Sequence, residues 1–176
     1  MITGYLKPSS GSIEFNGKNI TGIKPREATH IGVCRSFQVS QVFMSMTVKQ
    51  NLMIAMSLSK KSGSALLDPI DDDILSKECD KILDLYKIKK QSDLIVSTLS
   101  QGMRKLLDIA MAVVGNPKVL LLDEPTSALD DESKINVRKM IRFLTRKRTL
   151  IIITHDKELL TGMDRVIVFN DGAILY

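Results

Sequence analysis

The sequence has few cysteines and no long hydrophobic runs. Cys34 and Cys79 are its two cysteines among 176 residues, and they lack the spacing of metal ligands. They indicate free or buried thiols in a reducing compartment and exclude a disulfide scaffold. No apolar run approaches the ~20 residues that a helix needs to cross a bilayer. The length is sufficient for one domain with its own core.

Aromatic residues are also scarce, at 5% of the chain, and the net charge of +5 is mild. A predicted helix from about Glu132 to Arg148 carries a cluster of basic residues. Its buried stripe consists of Val137, Met140, Ile141 and Leu144. A nucleic-acid surface would interleave such bases with aromatic residues for stacking. Because these are missing, a solvated helix face is favoured and no nucleic-acid partner is expected. The basic residues are Arg138, Lys139, Arg142, Arg146, Lys147 and Arg148.

A buried strand that ends in two carboxylates is the most informative motif. Residues 119–122 are aliphatic, and Asp123 and Glu124 follow at once. Such a run is typical of a strand covered on both faces in a parallel sheet, where ligands bind beyond the carboxyl ends of the strands. Two acids there suit a magnesium-bound phosphate, one for the metal and one for a water. The alternative is a strand that merely ends in a solvated turn.

A second strand of the same kind is followed by a histidine. Residues 150–154 are apolar and β-branched, and His155 comes next. Glu124 and His155 are 31 residues apart, which leaves room for one helical crossover between neighbouring parallel strands. The two strand ends would gather an acid, a base and a polarising group at one sheet edge. An ordinary surface or capping role for the histidine stays open.

A predicted helix begins after Ser100, which is a favourable N-cap residue, and runs from Gln101 to about Val114. The backbone amides of Gln101, Gly102 and Met103 would point outward from its N-terminus, where phosphate oxygens bind readily. Gly102 would allow an anion to approach the backbone closely. A capped amphipathic helix without a ligand is the simpler interpretation, and both can hold at once. Its core-facing residues would be Leu106, Ile109, Ala110 and Val113.

Together these motifs resemble the ATP-binding subunits of ABC transporters. The family has a Q-loop, a signature motif, a Walker B strand, a D-loop and a switch histidine, and all five are present in the same order. They are Gln38, residues 99–103, residues 119–124, residues 127–130 and His155. The spacings are ordinary for the family; Ser100 and Asp123, for example, are 23 residues apart.

The importers for branched-chain amino acids and their close relatives are the group that the chain resembles in more detail. The similarity lies in residues 20–25, 31–38 and 42–52. It implies a subunit that drives import of these amino acids or related small solutes by ATP-driven dimer closure. The signature motif departs from its commonest form, because Gln101 and Met103 stand in place of Gly and Gln. The resemblance implies that function is retained despite this change.

The resemblance implies an α/β fold, P-loop NTPase-like, with a mostly parallel sheet, helices on both faces and an inserted helical subdomain. Residues 1–176 would form one partial ABC ATPase domain, with the helical subdomain at about residues 42–105. The sequence itself predicts a hairpin around Asn16-Gly17, helical stripes within residues 42–90, and a strand at 165–169. A polar linker is expected between the stripes, at residues 60–64 and 68–73.

The family's phosphate-binding loop, a glycine-rich turn ending in Gly-Lys-Ser/Thr, does not occur in these 176 residues. Residues 1–8 resemble the sequence that normally follows this loop, and the family's adenine-stacking aromatic residue would come earlier still. Two interpretations are open. The chain is truncated at its N-terminus, which is favoured, or it cannot hold nucleotide at its own primary site. Relatives also usually continue beyond the point where this chain stops.

The resemblance also implies a role for each motif residue. Asp123 would hold Mg²⁺ at the phosphates of ATP, Glu124 would activate the attacking water, and His155 would contact the γ-phosphate. Gln38 would touch the metal or the water and report nucleotide state to a membrane partner. The residues that would act in trans, on nucleotide held by the other subunit of a head-to-tail dimer, are Ser100, Gln101, Gly102, Met103 and Asp130.

ATP and Mg²⁺ are therefore the expected cofactors. The expected partners are transmembrane permease subunits and a second ATP-binding subunit, at the cytoplasmic face of the cell membrane. Two other classes stay open. A non-transport ABC ATPase of DNA repair would place a long coiled coil between Q-loop and signature, whereas 62 residues separate Gln38 from Ser100; a translation-type one would carry two cassettes. A non-hydrolysing partner would supply only its signature face to an intact subunit.

Overall fold

The structure, a computed structural model, describes residues 1–36, 40–60, 72–145 and 148–175. The strands in these ranges are β1 (Glu14–Phe15), β2 (Lys18–Asn19), β3 (Val33–Ser36), β4 (Val119–Asp123), β5 (Thr149–Ile153), β6 (Val168–Asn170) and β7 (Ala173–Leu175). The helices are α1 (Pro25–His30), α2 (Val48–Lys60), α3 (Asp72–Leu85), α4 (Gln101–Val113), α5 (Asp131–Leu144) and α6 (Lys157–Leu160). None of these helices has the length and apolar character that a membrane crossing requires.

Strands β3, β4 and β5 form a parallel sheet with β4 in the middle. The middle position explains the aliphatic run, because Leu120 and Leu122 are fully buried there. The register pairs Asp123 at the end of β4 with Ile153 at the end of β5. The structure thus confirms that the strand before Asp123 is a buried strand and that the strand before His155 is its parallel neighbour.

Helices α4 and α5 carry the apolar stripes that their sequences predict. α4 packs against α2, α5 and β3, and both stripes are buried in one core. Helix α5 ends at Leu144, four residues before its predicted end. The basic residues near position 148 did not mark the end of the helix correctly, because the chain must leave the helix before it starts β5 at Thr149. Residues 146–147 lie outside the described ranges.

Helices α2 and α3 pack against each other through their predicted stripes. The predicted linker between them falls mostly on residues 61–71, which are outside the described ranges. Its outer residues belong instead to the helices, since α2 runs to Lys60 and α3 starts at Asp72. The boundary of a helical subdomain at about residues 42–105 stays a prediction.

Two antiparallel hairpins complete the described fold. β1 and β2 flank Asn16 and Gly17, which have φ values of 51° and 73°, so the predicted tight turn is confirmed. β6 pairs with β7, but it begins at Val168 rather than at 165. Residues 165–167 are on average as apolar as β6, yet they have no strand pairing. Composition alone therefore placed the start of β6 three residues too early.

Candidate functional site

The carboxyl ends of β4 and β5 bring Glu124 and His155 together. The Glu124 N–H donates to the Ile153 carbonyl at 2.9 Å, so strand pairing continues one residue past β4. Glu124 Oε1 lies 3.4 Å from His155 Nε2. The His155 side chain is 98% exposed, whereas the Glu124 side chain is only 19% exposed. A shielded acid and an accessible imidazole therefore meet at one sheet edge.

The backbone holds Glu124 in an uncommon conformation. Its φ of 43° lies in the left-handed region that few non-glycine residues adopt. Ser127 closes the following turn, because its N–H and its hydroxyl both donate to the Glu124 carbonyl, at 3.1 and 2.9 Å. Backbone strain that the surroundings enforce in this way clusters at functional sites. The turn fixes the position of the acid at the end of the strand.

A shielded ion pair holds the segment that follows His155. Arg138 Nε and Nη2 donate to Asp156 at 2.9 and 2.7–2.8 Å, and the Thr126 hydroxyl donates to the same carboxylate at 2.9 Å. The Arg138 and Asp156 side chains are 16% and 13% exposed. Burial opposes the charge on Asp156, but the hydrogen bonds from Arg138 and Thr126 outweigh it and lower its pKa. The network ties α5 to the ends of both strands.

The solvated-face interpretation of the basic cluster is therefore wrong for Arg138. This residue follows Val137 on α5 and lies at the edge of the buried stripe, where a long side chain can cover apolar surface. Its partner Asp156 comes directly after the predicted site residue His155. The position of Asp156 next to His155 was the one sequence feature that pointed to it. Only the packing of α5 against the strand ends shows that Arg138 and Asp156 meet.

The predicted metal-binding carboxylate is paired with an arginine. Arg35 Nη2 on β3 lies 2.6 Å from Asp123 Oδ2. No group of three or more His, Cys, Asp or Glu residues that could hold a metal occurs in the described ranges. Mg²⁺ at a nucleotide takes most of its ligands from phosphates and water and one or two from carboxylates. Asp123, with its second oxygen, fits a magnesium ion brought by phosphates and does not fit a protein-only metal site.

The N-terminus of α4 is exposed at Ser100 and Gln101 and buried at Gly102. Ser100 is the N-cap, as predicted, and its hydroxyl accepts from the Met103 N–H at 3.3 Å. A Cβ added at Gly102 would lie 2.1 Å from Ser133 Oγ and 2.4 Å from Ser133 Cβ. In this structure the glycine is required by the close contact of α4 with α5, a reason that the sequence did not reveal.

The remaining predicted residues lie at the start of α5 or outside the described ranges. Asp130 is the N-cap of α5 and accepts from the Ser133 N–H at 2.9 Å and from its hydroxyl at 2.8 Å. These hydrogen bonds lower the pKa of Asp130. Gln38 is outside the described ranges.

Two clefts meet at the segment after β4. One has a volume of about 650 Å³ and is lined by Glu124 and His155 together with Lys134 and Arg138. The other has a volume of about 500 Å³, and its lining includes Gln101, Arg104 and Lys105 of α4. Ser127 and Ala128 line both clefts. The structure therefore places the D-loop segment between the strand-end pair and the N-terminal part of α4.

Comparisons with known proteins agree on one family. Residues 1–127 match the family model described as ABC transporter. The high-affinity branched-chain amino acid transport ATP-binding protein LivG of Salmonella typhimurium is 31% identical over 183 residues, covering 99% of this chain and 72% of LivG. The spermidine/putrescine import ATP-binding protein PotA of Oleidesulfovibrio alaskensis is 33% identical over 177 residues, covering 99% of this chain and 44% of PotA.

A solved structure agrees with these relatives. The ADP conformation of MJ1267, an ATP-binding cassette of an ABC transporter, has a TM-score of 0.82 at 30% identity and covers 99% of this chain and 71% of MJ1267. The predicted α/β, P-loop NTPase-like ABC ATPase fold is thereby confirmed. The family model covers well over half of the chain, and LivG and MJ1267 match along nearly all of it. The chain therefore belongs to the ABC transporter family, as an ATP-binding subunit.

Proposed function

We propose that, in a form of the protein that includes a phosphate-binding loop, the chain hydrolyses ATP at a dimer interface and thereby powers the import of a small solute. The observation that carries this proposal is the contact between Glu124 and His155 at the carboxyl ends of two adjacent parallel strands. Ligands in open α/β sheets bind at this edge. The adjoining cleft of about 650 Å³ is large enough for phosphate groups and the attacking water.

In the proposed chemistry, Glu124 is the general base that accepts a proton from the attacking water. Its largely shielded carboxylate and its enforced backbone conformation support this role, because such a base depends mainly on position. His155, which is exposed to the cleft, contacts the γ-phosphate and stabilises its developing charge. Asp123 would hold Mg²⁺, which neutralises charge on the phosphates when it is bound. Gln38 is proposed to touch the metal or the water.

Dimer formation supplies the second half of this proposed site. Ser100 and Gln101 are exposed at the N-terminus of α4, where backbone amides favour phosphate. They would close over ATP held by the opposite subunit, with Gly102 and Met103 completing the turn. Asp130, which is exposed at the start of α5, would line the same interface. Closure of the dimer would drive transport, and hydrolysis would reopen it.

The solute is proposed to be a branched-chain amino acid or a related small molecule. LivG supports this proposal because its alignment covers 72% of LivG, whereas the PotA alignment covers 44% of PotA. Residues 20–25, 31–38 and 42–52 resemble the amino acid importers in addition. The solute itself would be selected by permease subunits, which would hold this subunit at the cytoplasmic face of the membrane. Residues 42–105 are proposed as the helical subdomain that contacts them.

The dimer mechanism can be tested by measuring molar mass in solution with and without MgATP. In a form of the protein that includes a phosphate-binding loop, we expect ATP to shift the equilibrium from monomer to dimer, and Glu124→Gln to increase the dimer fraction because hydrolysis no longer reopens it. Glu14→Gln, an exposed acid on the β1–β2 hairpin, is the matched control and should behave as wild type. The absence of a dimer in all three proteins at saturating MgATP would contradict the mechanism.

A mixing experiment separates this proposal from the non-hydrolysing alternative. The chain would be added to an ATP-binding subunit that contains an intact phosphate-binding loop. Hydrolysis by a form of this protein that carries its own phosphate-binding loop, without the added subunit, supports the proposal. No hydrolysis alone, combined with a higher turnover of the intact subunit on mixing, would instead identify a partner that supplies only its signature face.

A further inference from the structure

A buried carboxylate on α4 holds two separate parts of the chain. Asp108 is 6% exposed and uses both of its oxygens. The Ser36 hydroxyl, at the end of β3, donates to Oδ2 at 2.5 Å, and the Gln41 N–H donates to Oδ1 at 3.0 Å. Hydrogen bonds to a charged acceptor are among the stronger ones in proteins. Neither contact belongs to the strand-end pair or to the exposed start of α4.

Lys105 gives this carboxylate a charge partner. It is 4% exposed, and its Nζ lies 4.0 Å from Asp108 Oδ2. Burial raises the pKa of Asp108 and lowers the pKa of Lys105, while their proximity opposes both shifts. A buried ion pair seldom adds net stability compared with apolar side chains of similar volume. Stability alone therefore does not account for charged groups at these two positions.

The position of the two hydrogen bonds along the chain suggests what they do. Ser36 lies two residues before Gln38, and Gln41 lies three residues after it. Asp108 sits two turns along the helix that begins next to Ser100. One carboxylate thus joins the helix of the signature motif to both flanks of the Q-loop residue.

We propose that Asp108 is a positioning residue that couples α4 to Ser36 and Gln41, the described residues that precede and follow Gln38 in the sequence. A displacement of α4, such as dimer closure at Ser100 would produce, is then transmitted to Ser36 and Gln41 together. This inference rests on the proposed function, because Gln38 matters only if the protein acts on ATP. The bridge itself is a property of the chain without nucleotide and can be tested separately.

Two substitutions at Asp108 separate bridging from simple core filling. Asp108→Leu keeps the branched shape of the side chain at Cγ, although it is larger, and removes both acceptors. Asp108→Asn can keep both contacts, because its carbonyl accepts from the Gln41 N–H while its amide donates to the Ser36 hydroxyl oxygen. Asp80→Leu is the matched control, since Asp80 is another helical aspartate that pairs with a lysine, Lys49, at 3.0 Å. It lies on α3, away from the bridge.

Amide hydrogen exchange of the chain without nucleotide gives the decisive measurement. In Asp108→Leu we expect the Gln41 amide to exchange about tenfold faster or more, while the amides of β4 keep their wild-type rates. Asp108→Asn should restore most of the protection, and Asp80→Leu should leave Gln41 unchanged. Unchanged exchange at Gln41 in Asp108→Leu would overturn the proposal. So would equal acceleration at Gln41 and in β4, because that reports general destabilisation.

A second variant keeps the test decisive if Asp108→Leu does not fold. Ser36→Ala removes only the contact at the end of β3. Faster exchange at Gln41 in this variant supports the bridge, because one contact then depends on the other through Asp108. Unchanged exchange at Gln41 would show that the two contacts are independent and would overturn the coupling.

ATP turnover provides the functional readout in a form of the protein that hydrolyses ATP. Asp108→Leu should lower kcat while KM for ATP stays close to wild type, because the proposed contacts of Gln38 are with the metal or the attacking water, and a misplaced Gln38 would slow the chemical step. Asp108→Asn should recover kcat. A rise in KM with kcat unchanged would contradict the inference while leaving the proposed ATPase activity intact. The two proposals can thus fail independently.

Discussion

The ends of β4 and β5 differ sharply from the N-terminus of α4, although both are proposed to act on ATP phosphates, the strand ends in their own subunit and α4 in the opposite one. At the strand ends, groups far apart in sequence hold one another: Arg138 pairs with Asp156, and Thr126 donates to the same carboxylate. At α4, Ser100 is exposed, and its hydroxyl oxygen accepts a hydrogen bond from the N–H of Met103, three residues away. The strand ends are organised by tertiary contacts, whereas the exposed cap at Ser100 is organised by its own helix turn, although Gly102 in this turn packs against α5.

This difference predicts different responses to substitution. Groups that are held by distant partners are pre-organised, so changes in the supporting network should lower stability. Groups at an exposed helix end contribute little to the fold of one subunit, and their effect should emerge only when a second subunit is present. The region around Glu124 is then pre-organised within one subunit, whereas the start of α4 is proposed to contribute to a site only after a second subunit binds.

The largest effect is expected at Glu124. Glu124→Gln should lower ATP turnover by at least ~10²-fold in the hydrolysing form of the protein, because the general base is lost. Its stability should change little, since the Glu124 backbone contacts remain. Steady-state turnover and urea unfolding measure the two quantities, with Glu14→Gln as the control. Turnover close to wild type would remove Glu124 from the proposed role and weaken the contrast between the two regions.

The next effect is expected from the supporting ion pair. Arg138→Met should destabilise the protein by about 3 kcal/mol, because it leaves the Asp156 carboxylate shielded without its cation. Lys139→Met, at the exposed neighbouring position, should cost no more than about 0.5 kcal/mol. Both values come from urea denaturation. Equal effects of the two substitutions would show that the strand ends are not held by tertiary charges.

The contact between α4 and α5 should be sensitive to a single methyl group. Gly102→Ala should cost about 1–3 kcal/mol, because the new Cβ would overlap Ser133. Combining it with Ser133→Gly should recover part of this loss in thermal unfolding, after the cost of Ser133→Gly alone is subtracted. No recovery would show that the contact with Ser133 does not cause the loss of stability.

A smaller effect on stability is expected at the helix end. Ser100→Ala should cost about 1 kcal/mol of stability through loss of the N-cap. Ser100→Ala should also lower ATP turnover, and this loss should appear only when the dimer forms. Mixed dimers that carry the substitution in one subunit would measure this. A stability loss above that of Arg138→Met would contradict the distinction between the regions.

The smallest expected effect is a dependence of stability on acid. The pKa of Asp156 is lowered in the folded protein, so its contribution is present above the ordinary aspartate pKa of about 3.9 and is lost as pH falls through the lower folded value. Unfolding measured from pH 6 downward should therefore show wild type losing its advantage over Asp156→Asn below about pH 4. A constant difference across that range would place the stabilisation elsewhere than in this carboxylate.

Periodicity and end signals in the sequence predicted much of the fold. The aliphatic run before Asp123 predicted a buried parallel strand, and Ser100 predicted the start of α4; both are confirmed. These predictions succeed because burial and capping act on residues close together in the chain. The C-terminal end of α5 and the start of β6 were misplaced, because the polar and apolar residues there fit either state.

The candidate site was predicted in part. The sequence identified Glu124 and His155 and their neighbouring strands, and the assignment of roles to the site residues stays a prediction. It missed Arg35 beside Asp123, because a cation in a short strand does not reveal which acid it meets. It also missed Asp108 and Lys105, which are near the middle of an amphipathic helix and look like ordinary polar positions until β3 covers them.

The sequence by itself determined the family, the order of the motifs and the placement of two acids and a histidine at strand ends. These depend on local pattern and on residue type, which are written directly in the chain. Only the tertiary structure decided which charged and polar groups meet: Arg138 with Asp156, Arg35 with Asp123, and Asp108 with the hydroxyl of Ser36 and the N–H of Gln41. The physical reason is that an ion pair or a buried hydrogen bond depends on distance in space, and packing of helices on the sheet sets that distance.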